Sequence, residues 1–114
     1  MTSNQGYKLS ELAKLKIHFI GIGGAGMSGI ARIMLAKGFS ISGSDKNDSS
    51  LLTSLKALGA VIFIGHDAQN LGQAELVIVS SAIAEGNPEL AAAKAKNIPV
   101  VQRANALAWL MSES

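Results

Sequence analysis

Hydrophobic positions along the chain follow two alternating rhythms. Short, nearly continuous apolar runs alternate with stretches in which apolar residues recur every three or four positions. The runs are KIHFIGI (Lys16 to Ile22), FSISGS (Phe39 to Ser44), AVIFIG (Ala60 to Gly65), ELVIVSS (Glu75 to Ser81) and IPVV (Ile98 to Val101). They are rich in β-branched residues and scarcely alternate. That pattern suits strands covered on both faces, as in a parallel sheet.

The intervening stretches read as helices. Met27, Ile30, Ala31 and Met34 share one helical face, and Gly38 stands where a helix closes on glycine. Leu51, Leu55 and Leu58 repeat the pattern before Gly59. Asn87, Pro88 and Glu89 form a helix start: a capping amide, a proline at the first helical position, and a carboxylate near the positive end of the dipole. Asn97 suits a left-handed closing residue. Ala104, Leu107, Ala108 and Met111 mark an apolar stripe on a terminal helix. Asp67 to Gln73 is long enough for a turn or two. Strand and helix alternate throughout, which predicts an α/β domain: a five-stranded parallel sheet, right-handed crossovers, and helices on both faces. The domain covers residues 15–114, behind an amino-terminal extension of residues 1–14.

The first strand runs into FIGIGGAGMSGIA, with five glycines in nine residues. Gly21, Gly23 and Gly26 match G-x-G-x-x-G. Short motifs of this kind arise by chance, and a tight, closely packed turn would also explain them. The setting favours a phosphate ligand: a strand precedes, a helix follows, and Asp45 ends the next strand 19 residues after Gly26. The expected fold is therefore Rossmann-like. Gly21 would make the turn, Gly23 would admit a pyrophosphate to the backbone, and Gly26 would let the helix pack on the sheet. Asp45 would accept hydrogen bonds from a ribose diol or a base N–H. Alternatively, Asp45 or Asp48 caps the following helix. Two more loops fall at carboxyl ends of strands. One holds His66 and Asn70, the other Ser80 and Ser81, and both residue sets also suit ordinary turns. His18, in mid-strand, reads as structural.

Composition narrows the function classes. Ten basic and eight acidic residues are scattered, and aromatics are 4%. Neither a nucleic-acid footprint nor a stacking platform is indicated. There is no cysteine, so disulfides and thiolate metal sites are excluded. No apolar stretch is long enough to span a bilayer, and the first 14 residues lack a signal-peptide core. A soluble, cytoplasmic domain is expected. No catalytic motif is visible: G-x-S-x-G, H-E-x-x-H and G-x-x-x-x-G-K-[ST] are all absent.

Several blocks together carry a resemblance: IHFIGIGGAGMSGIA, SGSD, LGAVIFIGH, VIVSSAI with NPE, and IPVVQRA. Over residues 15 to 112 the chain resembles the amino-terminal, UDP-binding domain of the Mur ligase family of peptidoglycan synthesis. The resemblance implies that UDP-N-acetylmuramate is the ligand of a longer enzyme. In that enzyme ATP phosphorylates the lactyl carboxylate, and the amine of L-alanine displaces phosphate. ATP and Mg2+ are bound in the family by a central domain that follows this one, so the fragment alone is expected to hold no cofactor and to be inactive. The family's diphosphate contacts map onto Gly21, Gly23, Gly24, Ala25, Gly26, Met27 and Ser28. Its uridine contacts map onto Ser44, Asp45, His66, Ser80, Ser81 and Ala82. Asn105 departs from the acidic residue common at that position, and Arg103 and Trp109 face either the next domain or the core. A regulatory module sensing NAD or an adenine nucleotide would share the glycine motif and Asp45, but has no use for the later blocks.

Overall fold

The computed structural model describes residues 11, 13–24 and 26–112. Ala25 and most of the expected extension over residues 1–14 lie outside them. The elements run β1 (Lys16–Ile20), α1 (Met27–Ala36), β2 (Ser40–Asp45), α2 (Ser50–Ala57), β3 (Val61–Ile64), a 3-10 turn (Ala68–Leu71), β4 (Leu76–Val79), α3 (Pro88–Ala95), β5 (Val100–Gln102) and α4 (Arg103–Ser112). All strand pairs are parallel, in the order β3-β2-β1-β4-β5. The five expected strands are all present, with ends shifted by one or two residues.

The chain winds outward through β1, β2 and β3, then returns to the other side of β1 for β4 and β5. The reversal opens a crevice between β1 and β4 at their carboxyl ends, where open parallel sheets place their ligands. Two apolar layers sandwich the sheet. Ile17 and Phe19 of β1 pack with Met27, Ile30, Ala31 and Met34 of α1, and with α2 and α4. Ile20 packs on the opposite face with Leu71, Val77, Val79, Leu90 and Ala93, beneath α3 and the 3-10 turn.

Most helix signals acted as expected. The Asn87 side chain accepts from the N–H groups of Glu89 and Leu90, with Pro88 at the first helical position. Asn97 closes α3 at φ 59°. Gly43, within a central strand, meets a packing demand: a Cβ there would lie 2.5 Å from Ile22 Cδ1. Any larger residue would push Ile22 out of the turn above it.

Two helices sit out of the expected phase. In α2 the buried residues are Leu52 and Leu55, while Leu51 and Leu58 are exposed. Leu52 is drawn inward because its Cδ2 packs against Gly23, where no Cβ intervenes. In α4 the stripe of Ala104, Leu107, Ala108 and Met111 faces outward, and Ala106, Trp109 and Leu110 are buried. Burying the indole outweighs burying Leu107 and Met111, because aromatic side chains carry the largest apolar area. Trp109 thus belongs to the core. Asn105 accepts from the N–H of Gln102 at the start of α4, the role an acidic residue takes in a capping box.

The phase of α4 is testable by urea denaturation. Trp109→Ala should cost about 3–5 kcal/mol, and Leu107→Ala about 0.5 kcal/mol or less. Similar costs for the two would contradict this orientation.

Candidate functional site

The glycine corner is tied to the neighbouring strand. The N–H groups of Gly21 and Ile22 both donate to Ser44 O, at 2.8 and 3.0 Å. Gly21 adopts φ +85°, and a Cβ on it would meet Ser80 Cβ at 3.2 Å and Ile83 Cδ1 at 3.3 Å. Glycine is therefore required twice over, by conformation and by the closeness of the β4 loop. The Gly24 N–H turns back to Gly21 O at 3.0 Å, and Met27 N–H to Gly24 O at 3.0 Å. An open cleft of about 340 Å³ lies against this corner. Its wall includes Gly21, Gly24, Asp45, His66, Ser80 and Ala82.

The other expected site residues are placed differently. Gly23 faces Asp45: its N–H donates to Asp45 Oδ2 at 2.9 Å, and a Cβ would lie 2.9 Å from that same oxygen. The group pressing on Gly23 is thus a carboxylate of the protein itself. Gly26 is held by its φ of +80° and by Arg103, whose Cδ and Nη1 would each lie 3.1 Å from a Cβ there. Sheet packing is not what makes it glycine. Met27 is buried in the core and Ser28 is half-buried in the first turn of α1. Ala25 is outside the described residues. Ser81 is exposed and lines a separate depression toward β5. Ser44 is fully buried and stands behind the cleft wall. Neither Asp45 nor Asp48 caps α2, whose N-cap is Ser49. Asp45 Oδ1 instead accepts from Asn47 N–H, a local turn bond.

Behind the wall lies a buried polar cluster centred on Glu89. Its Oε1 accepts from His18 Nε2 at 2.6 Å and from the Ser44 hydroxyl at 2.6 Å. Its Oε2 accepts from Asp67 N–H at 3.1 Å and Asn70 Nδ2 at 2.9 Å. His66 Nδ1 is 3.4 Å from the same oxygen and 2.9 Å from Ser44 Oγ. His18 Nδ1 pairs with Ser42 Oγ at 2.7 Å. Burial pushes the Glu89 carboxyl up, but hydrogen bonds from His18, Ser44 and Asn70 outweigh it and lower it from 4.5 to about 2. Sequence reasoning treated Glu89 as a helix-dipole residue and missed this. The available signal was a carboxylate two residues after a capping asparagine, in a chain with polar residues at His18 and Ser44 inside apolar strands.

A carboxyl group whose pKa falls on folding stabilises the protein above its unfolded value and loses that contribution as pH drops through the folded one. For Glu89 the window runs from about pH 4.5 down to about pH 2. At about 1.36 kcal/mol per pH unit, the contribution is about 3 kcal/mol at most. Urea titrations across that window should show a steeper acid loss for the parent chain than for Glu89→Gln. Parallel curves would contradict the ionised hub.

Comparison with known proteins places this geometry. Residues 16–114 match the Mur ligase family, catalytic domain. The UDP-N-acetylmuramate–L-alanine ligase of Thermobifida fusca is 53% identical over 102 residues, covering 89% of this chain and 22% of that protein. The ligase of the same name from Polynucleobacter asymbioticus is 56% identical, over 84% of this chain and 20% of its own length. The crystal structure of the UDP-N-acetylmuramate–alanine ligase of Thermotoga maritima aligns with a TM-score of 0.82 at 33% identity, covering 87% of this chain and 23% of that one. The chain spans about a fifth of the length of the curated relatives it matches. With its whole sheet and its glycine corner inside the matched region, the chain belongs to the Mur ligase family.

Proposed function

We propose that this domain binds the UDP part of UDP-N-acetylmuramate, as one portion of an ATP-dependent ligase that joins L-alanine to that nucleotide sugar in peptidoglycan synthesis. The observation that carries the reading is a cation laid over the positive end of a helix. Arg103 reaches across Gly26, the N-cap of α1. A guanidinium and a helix N-terminus repel one another unless an anion lies between them. A diphosphate at the corner would supply that anion. The relatives' shared substrate name supports the identity of the nucleotide.

The order of the strands supports the pose. The carboxyl ends of β1, β2 and β3 lie side by side, with adjacent strands about 4.8 Å apart. The glycine corner, Asp45 and His66 sit at these three ends in turn. Diphosphate, ribose and base would follow the same order over roughly 10 Å. Asp45, through whichever oxygen lone pairs its bonds to Gly23 and Asn47 leave open, would take the ribose hydroxyls. Ser80 and Ala82 would close the cleft from the β4 side. ATP and Mg2+ would enter through the part of the relatives that this chain does not cover. No helix among the described residues is long and apolar enough to cross a membrane, which suits work on a water-soluble precursor.

Calorimetry with UDP-N-acetylmuramate, NAD and ATP tests the reading, and preference for NAD would replace it with the regulatory alternative. Arg103→Ala should weaken UDP about tenfold, the scale of one charged hydrogen bond, and leave uridine unaffected. An equal loss for uridine would remove Arg103 from the diphosphate. Asp45→Ala should weaken both nucleotide and nucleoside by about 1–3 kcal/mol. This chain alone should neither hydrolyse ATP nor ligate alanine, since it contains no P-loop sequence.

A further inference from the structure

We infer that Glu89, acting through Ser44, is a positioning residue that sets the His66 tautomer, so that the cleft presents a hydrogen-bond acceptor and selects a uracil over a cytosine base. The ligand half rests on the nucleotide site proposed above. The tautomer half rests on the hydrogen-bond geometry around an ionised Glu89 and needs no ligand.

The number of protons in the cluster fixes the tautomer. An ionised carboxylate only accepts. Glu89 Oε1 therefore takes the single hydroxyl hydrogen of Ser44, whose Oγ is 2.6 Å away. Ser44 Oγ is then left with lone pairs alone. His66 Nδ1, 2.9 Å from it, must be the donor in that contact. The carboxylate oxygen 3.4 Å from the same nitrogen favours a proton there as well. A neutral imidazole carries one N–H. With Nδ1 protonated, Nε2 is a bare acceptor on a ring that lines the cleft. His18, Asp67 and Asn70 occupy the other lone pairs of Glu89 and hold it in place. The proton order reaches the cleft through Ser44, whose hydroxyl links Glu89 Oε1 to His66 Nδ1.

An acceptor at the outer end of the cleft discriminates between pyrimidines. Uracil offers an N3–H donor, whereas cytosine presents a lone pair at N3. The first forms a hydrogen bond with Nε2, and the second leaves two acceptors facing each other, a mismatch that costs binding.

Two measurements on the 114-residue chain separate the halves. Long-range proton–nitrogen NMR of the unliganded, nitrogen-15-labelled protein at about pH 8, where an ordinary imidazole is neutral, should show His66 protonated on Nδ1. Ser44→Ala and Glu89→Gln should each move it toward the Nε2–H form. Ser44→Ala serves should the buried Glu89 variant fail to fold. A purely structural role for Glu89 would alter stability and leave the His66 tautomer unchanged, which would overturn the inference. Calorimetry with UDP and CDP should then give at least about tenfold preference for UDP, one well-placed hydrogen bond's worth, shrinking in Ser44→Ala. Equal binding of the two by the parent chain overturns the specificity half even with the expected tautomer. Failure to bind either nucleotide overturns the site reading and with it the ligand half, while the NMR result still judges the tautomer.

Discussion

One buried carboxylate organises the carboxyl edge of this sheet. Glu89 enters from the first turn of α3 and is touched by His18 of β1, Ser44 of β2, Asp67 after β3 and Asn70 of the 3-10 turn. Four segments distant in sequence thus share one charge. An isolated carboxylate in such a place would be untenable. With these donors each oxygen is satisfied, and among the described residues no buried side-chain polar atom lacks a partner. The arrangement ties the second face of the sheet to the loops that wall the cleft. It also explains why β1 and β2 carry His18 and Ser44 within apolar strands: these side chains point into the polar cluster, while Ile17 and Phe19 keep the apolar layer intact on the other side.

The glycine corner obeys a related constraint. Its amides are largely satisfied before any ligand arrives: Gly21 and Ile22 by Ser44 O, Gly23 by Asp45, Gly24 by Gly21 O. The corner is therefore preorganised by its neighbours. Asp45 has two tasks in this arrangement, holding the loop and facing the cleft. A ribose engaging Asp45 would act on a group already fixed in orientation, which lowers the entropy lost on binding.

How much of this could be read from sequence follows from the range of the interactions. Local signals acted as expected: the strands, the Asn87 cap and the Asn97 closure depend on residues a few positions apart. The parallel sheet with helices on both faces followed from the alternation of strand and helix. What escaped was long-range. The phase of α4 depended on Trp109 finding the core, and that of α2 on Leu52 finding the space beside Gly23. The roles of Gly23 and Gly26 depended on Asp45 and Arg103, 22 and 77 positions away. Glu89 looked like a first-turn residue because that is all its neighbours in sequence show. Its partners lie up to 71 residues distant.

A buried charge of this kind is a weak device for stability, since well-packed apolar residues can replace such clusters with no loss. What an apolar cluster cannot do is transmit the position of a proton. The carboxylate lies one hydroxyl away from an imidazole in the cleft wall. On the other side His18, and Ser42 beyond it, extend the same ordering deeper into the sheet. The acidic side chain therefore contributes most where direction matters: it is the one residue of the cluster that only accepts, and every donor around it must orient accordingly. A fold that needed only a tight joint between α3 and the strand ends could use leucine there. A fold that must hold a defined pattern of donors and acceptors at its ligand edge needs a group whose polarity cannot reverse.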